Sequence, residues 1–152
     1  MQKLTKEFLG LVGEYAVASE LCKRNVYAQL TIGRHKSTDI LVETKDNVMK
    51  VQVKAKQGRE WPGVSGVSRS SDYLVLVDFQ KKNEDDRPDF YILDIIDWKK
   101  LIEGEKEKFP GLEIDNKLRI KYPDGWKGLN LEPNQVEACK GKWDKIFTEI
   151  SK

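Results

Sequence analysis

The sequence has 152 residues, of which 39% are hydrophobic and 34% charged, and its formal net charge is +2. This length predicts a single domain, and the composition is too apolar for a disordered chain. No uncharged apolar stretch approaches 18 residues and the start lacks a signal-peptide core, so we expect a cytoplasmic protein without a membrane-spanning segment. Cys22 and Cys139 fall at apolar positions of predicted helices and are expected to be reduced core thiols.

Positive charge is concentrated in the first half of the chain. Residues 1–70 carry 12 Lys and Arg against 7 Asp and Glu, whereas the remainder carries 15 against 18. A basic half suits a phosphate-rich partner, but the small net charge also suits an ordinary solvated surface. Charge alone therefore does not choose between nucleic-acid binding and other functions.

Hydrophobic periodicity predicts a helix over residues 4–24, followed by several strands. The apolar stripe of the helix, expected to face the core, has spacings of three and four; it consists of Leu4, Phe8, Leu11, Val12, Tyr15, Ala18 and Cys22. The predicted strands cover residues 26–32, 39–43, 48–55, 73–77, 90–93 and 118–122. The continuous apolar run 73–77 is typical of a buried central strand.

The rest of the chain is predicted from turn and cap signals. Residues 57–71 are rich in Gly and Ser and are expected to form a loop, within which Trp61 is expected to join the core. Asp97 is predicted to cap a short helix, and residues 104–117 to be irregular. Asn134, with Glu137 three residues later, is predicted to cap a last helix whose apolar stripe is Val136, Cys139, Trp143, Ile146, Phe147 and Ile150.

Four polar residues occupy unusual positions in this pattern. Glu14 lies at the edge of the helical stripe, directly after a glycine that a close backbone approach would explain. Asp39 opens a strand, where Asp is disfavoured. Gln52 and Lys54 are two residues apart in the strictly alternating strand, so they share the face opposite its valines.

This set suits the hydrolysis of a phosphodiester with the help of a divalent cation. Asp39 offers a charged ligand, Gln52 an amide oxygen and Val53 its backbone carbonyl, and Glu14 completes the shell directly or through water. Lys54 would then lie beside the attacking water and stabilise negative charge. Oxygen ligands favour Mg²⁺, with Mn²⁺ as a substitute. Glu14 as an ordinary solvated edge carboxylate is the alternative.

The order of these residues resembles the PD-(D/E)XK nuclease superfamily. Glu14 corresponds to its helix acid, Asp39 to its metal-binding aspartate, and Gln52 and Lys54 to its (D/E)-X-K pair. The glutamine variant is similar to that of Mrr-type restriction enzymes, Holliday-junction resolvases and some small bacterial homing endonucleases. The sequence departs from the family at Thr38, which replaces the proline, and at Gln52, which removes one negative charge from the site.

The resemblance covers about residues 4–80. It implies an α/β, restriction-endonuclease-like three-layer fold with a mixed central sheet flanked by helices. We expect one domain over residues 1–152, with the motifs within about 4–96 and a C-terminal extension over 97–152. The implied activity is Mg²⁺-dependent DNA endonuclease cleavage, of the homing or restriction type or of the junction-resolving type, by a homo-oligomer (a dimer or tetramer).

Several basic residues are candidates for contacts with DNA phosphates: Arg34, Lys36, Lys56, Arg59 and Arg69. Solvated surface charge is the alternative for each of them. At the level of the whole protein, the alternative is a nuclease fold without catalysis, which would serve as a DNA-binding or protein-interaction module. The acidic second half of the chain is the feature that would favour protein interaction.

Overall fold

A computed structural model describes residues 1–31 and 38–150 of the protein. The helices of this part of the chain are α1 (Lys6–Lys23), α2 (Ile95–Lys108) and α3 (Asp144–Ile150). The strands are β1 (Ala28–Leu30), β2 (Ile40–Glu43), β3 (Val48–Lys56), β4 (Trp61–Val64), β5 (Asp72–Asp78), β6 (Asp89–Leu93), β7 (Glu113–Ile114), β8 (Ile120–Lys121) and β9 (Leu129–Leu131). Short 3₁₀ turns span Pro133–Gln135 and Glu137–Cys139. None of the helices in the described ranges is long and apolar enough to cross a membrane.

Five strands form a mixed sheet in the order β1-β2-β3-β5-β6. Only β3 and β5 are parallel, and the other neighbouring strands are antiparallel. The apolar run 73–77 lies within β5, where nearly every side chain is buried because both faces of the sheet are covered. Two short strand pairs, β4 with β9 and β7 with β8, lie outside this sheet.

Two apolar clusters lie on the two faces of the sheet. One contains residues of α1 and α3 with the odd-numbered side chains of β3 and β5, such as Val53 and Val75. The other contains Leu74 and Leu76 of β5 together with residues of α2 and of the small sheets, including Trp61. The predicted α/β fold, with a mixed central sheet between helical layers, is confirmed.

Helix α1 differs from the prediction in the face that it buries. Thr5 caps its first turn, accepting a hydrogen bond from the backbone N–H of Phe8. The buried positions of α1 are Gly13, Val17, Ala18, Glu20 and Leu21. Most of the stripe that was predicted to face the core is therefore exposed to solvent: Phe8 is 60% and Tyr15 is 61% exposed. Cys22, expected in the core, is also exposed, whereas Cys139 is buried as expected.

Local caps differ from those predicted in the second half of the chain. Asp94 caps α2 and Asp97 is its partner in a capping box, because the helix begins three residues earlier than expected and extends into residues predicted to be irregular. Asn134 lies inside a 3₁₀ turn instead of capping a helix. The segment 57–71 contains β4, in which Trp61 is buried and donates its indole N–H to the carbonyl of Val77.

Candidate active site

Strand β3 carries the first two candidate residues. Its burial alternates along the strand, with Val51 and Val53 in the core that packs on α1. Gln52 and Lys54 point to the opposite face, as the pattern predicts, because side chains alternate along a strand. Gln52 is half-buried and Lys54 is exposed, so the amide lies at the wall of the site and the ammonium reaches solvent.

Asp39 lies directly before β2 and is bound to β3 through its side chain. Its backbone N–H donates to the carbonyl of Val51 at 3.2 Å. Its Oδ2 accepts a hydrogen bond from the backbone N–H of Val53 at 2.7 Å. Among the described residues, the β2–β3 ladder ends at the pair Ile40 and Val51. If β2 were one step longer, a backbone carbonyl of β2 would accept the hydrogen bond from Val53. The Asp39 carboxylate accepts it instead.

The same contact gives a direction for the carbonyl of Val53. Within a strand, the N–H and C=O of one residue point to the same side, which is why antiparallel pairs exchange both bonds. The Val53 N–H points towards Asp39. Its carbonyl oxygen therefore faces the same edge of β3 as the Asp39 carboxylate.

Glu14 reaches this region because α1 packs closely on β3. A Cβ atom built on Gly13 would lie 2.8 Å from the Cβ of Ala55, so only glycine permits this approach. Glu14 is half-buried. Burial raises the pKa of its carboxyl; the negative charge of Asp39 raises it further, and the positive charge of Lys54 lowers it. The charges of three candidate residues therefore act on one another.

Asp39 shows the same competition between burial and charge. Burial raises its pKa, and the hydrogen bond from Val53 and the charge of Lys54 act in the opposite direction. Burial therefore disfavours the negative charge of both carboxyls, and the charge of Lys54 partly offsets this effect.

The oxygen donors of the site have mixed chemistry. Within residues 1–31 and 38–150, no group of three or more His, Cys, Asp or Glu side chains is arranged to hold a metal ion. The region offers two carboxylates, Glu14 and Asp39, with the amide of Gln52 and the carbonyl of Val53 beside them. These are hard oxygen ligands, which match Mg²⁺ and exclude the thiolate-rich sites of zinc.

The five predicted phosphate-binding residues have different environments. The prediction that Lys56 contacts DNA phosphates is corrected by its burial, since the residue is only 2% exposed. Its ammonium forms a buried ion pair with Asp78 at 2.7 Å and lies over the ring of Trp61. Its ammonium is therefore paired inside the protein and is not presented to a phosphate at the surface. Arg59 is exposed and pairs with Glu132 at 3.0 Å. Arg69 is exposed. Arg34 and Lys36 lie outside the described residues.

One buried carboxylate escaped the sequence-based analysis. Glu20 is 3% exposed and accepts hydrogen bonds from Lys23, Arg24 and Arg87. Lys23 and Arg24 lie within four residues of Glu20, but Arg87 is 67 residues away and no sequence pattern connects Arg87 with Glu20. This cluster joins α1 to the loop between β5 and β6.

Comparisons with known proteins show a similarity to solved structures but no match at the level of sequence. No protein-family model matches the sequence, and no curated protein matches it. Among solved structures, the chain is similar to a bacterial homing endonuclease, I-Ssp6803I, with a TM-score of 0.45 and 17% sequence identity. The similarity covers 60% of this chain and 70% of that chain. Roles for the residues of the site therefore rest on the contacts of this chain itself.

Proposed function

We propose that the protein is a metal-dependent DNA endonuclease of the PD-(D/E)XK type, in its Gln-X-Lys variant. The observation that carries the proposal is the Asp39 carboxylate held at 2.7 Å by the backbone N–H of Val53, between Gln52 and Lys54. The hydrogen bond brings the Asp39 carboxylate beside the stretch of β3 that carries Gln52, Val53 and Lys54, which supports the proposal. Glu14 adds a second acid whose pKa responds to both Asp39 and Lys54.

The donor set suits a single Mg²⁺ ion. Glu14 and Asp39 would hold it with charged oxygens, and Gln52 and Val53 with neutral ones. A bound Mg²⁺ would offset the negative charge of a phosphodiester and make a water molecule a stronger nucleophile at neutral pH. The raised pKa values of Glu14 and Asp39 support this fit, because two desolvated carboxylates close to each other need a counter-charge.

Lys54, Gln52 and Val53 would have different roles in the reaction. Lys54 is exposed on the face of β3 that carries Gln52. Its ammonium can orient a water molecule there and stabilise the negative charge that develops on the phosphate oxygens during the reaction. The amide of Gln52 orients a ligand without adding charge. The hydrogen bond from Val53 keeps Asp39 in one orientation, so the site is organised before substrate binds.

The test is cleavage by the purified full chain. Supercoiled plasmid and a four-way DNA junction are incubated with Mg²⁺, with Mn²⁺ or with EDTA. The proposal expects nicked or resolved products with either metal and none with EDTA. Salt-sensitive DNA binding without cleavage of either substrate under any metal condition would contradict the catalytic part and favour a DNA-binding module.

We also propose that the protein is a homo-oligomer whose copies meet through the outer face of α1. Phe8, Leu11, Val12 and Tyr15 lie on this face and are 60%, 41%, 37% and 61% exposed. At about 200 Å² for an aromatic side chain, the stripe exposes roughly 350 Å² of apolar surface. That is somewhat less than half of the roughly 800 Å² that each partner buries in an interface of standard size. A helix that is apolar on both faces is expected to be covered on both.

The mass of the protein in solution tests this second point. The double variant Phe8→Ser/Tyr15→Ser is expected to be monomeric where the wild type is a dimer or tetramer. Trp126→Ser removes another exposed aromatic residue, outside α1, and should leave the mass unchanged. A wild type that is monomeric at high concentration would contradict the proposed interface.

A further inference from the structure

A basic cavity of about 460 Å³ lies at one end of the parallel strand pair β3 and β5. Both strands end here in register, with Lys56 opposite Asp78. The residues that follow them, Gln57 and Phe79, line the cavity. The cavity therefore lies outside the carboxyl ends of the two parallel strands.

Three lysines give the cavity its charge. Lys3, Lys81 and Lys82 line it, and the described residues of its lining include no Asp or Glu. Lys82 also lies 3.5 Å from Asp89, whereas Lys3 and Lys81 form no ion pair with any acidic residue in the described part of the chain. The charge of the nearby Lys56 is already balanced by Asp78. The lining therefore carries a net positive charge.

The backbone around the cavity holds these lysines in place. The side chain of Gln57 accepts a hydrogen bond from the N–H of Leu4 and donates one to the carbonyl of Gln2, which secures the segment that carries Lys3. Lys81 has φ of 59°, in the left-handed region that favours glycine. Such a backbone conformation costs a residue other than glycine some strain, and residues of this kind cluster at ligand-binding sites.

We propose that this cavity binds a phosphate oxyanion, and that in the working protein this is a backbone phosphate of the DNA. The assignment to DNA rests on the proposed function. Gln57 directly follows β3 and is three residues beyond Lys54, or about 10 Å along the extended chain. A phosphate in the cavity would lie a few nucleotides from the one at the active site, so the cavity would help to position the DNA strand.

The experiment compares two double variants that lose the same charge. Lys3→Gln/Lys81→Gly removes the charges of two lysines that line the cavity, and the glycine relieves the left-handed backbone, so folding is preserved. Lys99→Gln/Lys100→Gln removes two exposed cations from α2 and is the control. Affinity for a short DNA duplex is measured in EDTA over roughly 50–200 mM salt, and thermal stability is measured with and without inorganic phosphate.

The proposal expects the cavity variant to bind DNA three- to tenfold more weakly, with a salt slope reduced by about one, which corresponds to one lost phosphate contact. It also expects phosphate to raise the melting temperature of the wild type and of the control but not of the cavity variant. Lost stabilisation by phosphate with an unchanged DNA slope would assign the site to a free phosphate. Unchanged results in both arms would overturn the proposal.

Failure of the nuclease proposal is distinguishable from failure of this one. A wild type that does not bind DNA would remove the DNA assignment, while the phosphate arm would still measure the cavity. Conversely, DNA cleavage with normal metal dependence, combined with a cavity variant that behaves like the control in both arms, would leave the nuclease standing and refute the cavity site.

Discussion

Gly13 of α1 and Ala55 of β3 are in such close contact that a Cβ atom on Gly13 would lie 2.8 Å from the Cβ of Ala55. This approach fixes the height of α1 above the sheet. Since Glu14 is the next residue, the same contact determines how far its carboxylate extends towards Asp39 and Lys54.

Gly13→Ala is therefore expected to displace α1 and to reduce cleavage. Overpacking at a site of this kind costs about 1–3 kcal/mol, and a misplacement of about 1 Å in an active site can cost about 100-fold in rate. Gly10→Ala makes the same change one turn earlier, where an added Cβ meets nothing within 4 Å. It should raise the free energy of unfolding by about 0.5–1 kcal/mol and leave the rate unchanged. Chemical denaturation and nicking rates check both variants.

The sequence predicted the strands of the sheet better than it predicted the buried face of α1. Strand periodicity correctly placed Gln52 and Lys54 on one face and β5 inside the sheet, because burial on one or both faces leaves a clear pattern. It failed for α1, which has apolar residues on both sides, so that the stripe with the best helical spacing, including Phe8 and Tyr15, proved to be the exposed one. It also missed the inward turn of Lys56, because an ion pair with Asp78 depends on register between distant strands.

Removing the charge of Glu14 is expected to stabilise the protein while reducing activity. Burial and Asp39 raise the pKa of Glu14, so at neutral pH the folded state carries a carboxylate that it disfavours. Glu14→Gln should therefore melt at a higher temperature than the wild type at pH 7 in EDTA. The difference should disappear as the pH falls below the ordinary value of about 4.5, where the carboxyl is protonated in the folded and the unfolded state alike. Glu7→Gln, on the exposed side of the same helix, should show no such gain.

Glu20 is expected to give the opposite dependence on pH. Its hydrogen bonds with Arg87, Arg24 and Lys23 hold the pKa of its carboxyl well below the usual range. Its contribution to stability is complete above the unfolded pKa of about 4.5 and is lost as the pH falls towards the folded value. Glu20→Gln should lower the free energy of unfolding by about 1–3 kcal/mol at pH 7 and flatten the acid limb of the stability curve. Glu43→Gln, an exposed carboxylate, serves as the comparison; an equal loss there would contradict a specific role for Glu20.

A carboxylate at position 52 is expected to strengthen metal binding. Gln52 is the neutral member of the proposed ligand set, and the affinity of an oxygen site for divalent cations increases with its ligand charge. Gln52→Glu should lower the Mg²⁺ concentration at half-maximal nicking by about tenfold. Direct titration of Mg²⁺ by calorimetry gives the same quantity without DNA. An unchanged or weaker Mg²⁺ affinity would show that Gln52 does not face the ion.

The most direct test of the proposed site is the single-turnover nicking rate of Lys54→Met beside Lys50→Met. Both lysines lie on β3 and point to the same face, four residues apart, so the two variants remove the same charge from the same strand. The proposal predicts a loss of about 100-fold or more for Lys54→Met and a rate within about twofold of the wild type for Lys50→Met. Nearly full activity of Lys54→Met, or equal losses for the two variants, would contradict the assignment of the active site to Asp39, Gln52 and Lys54.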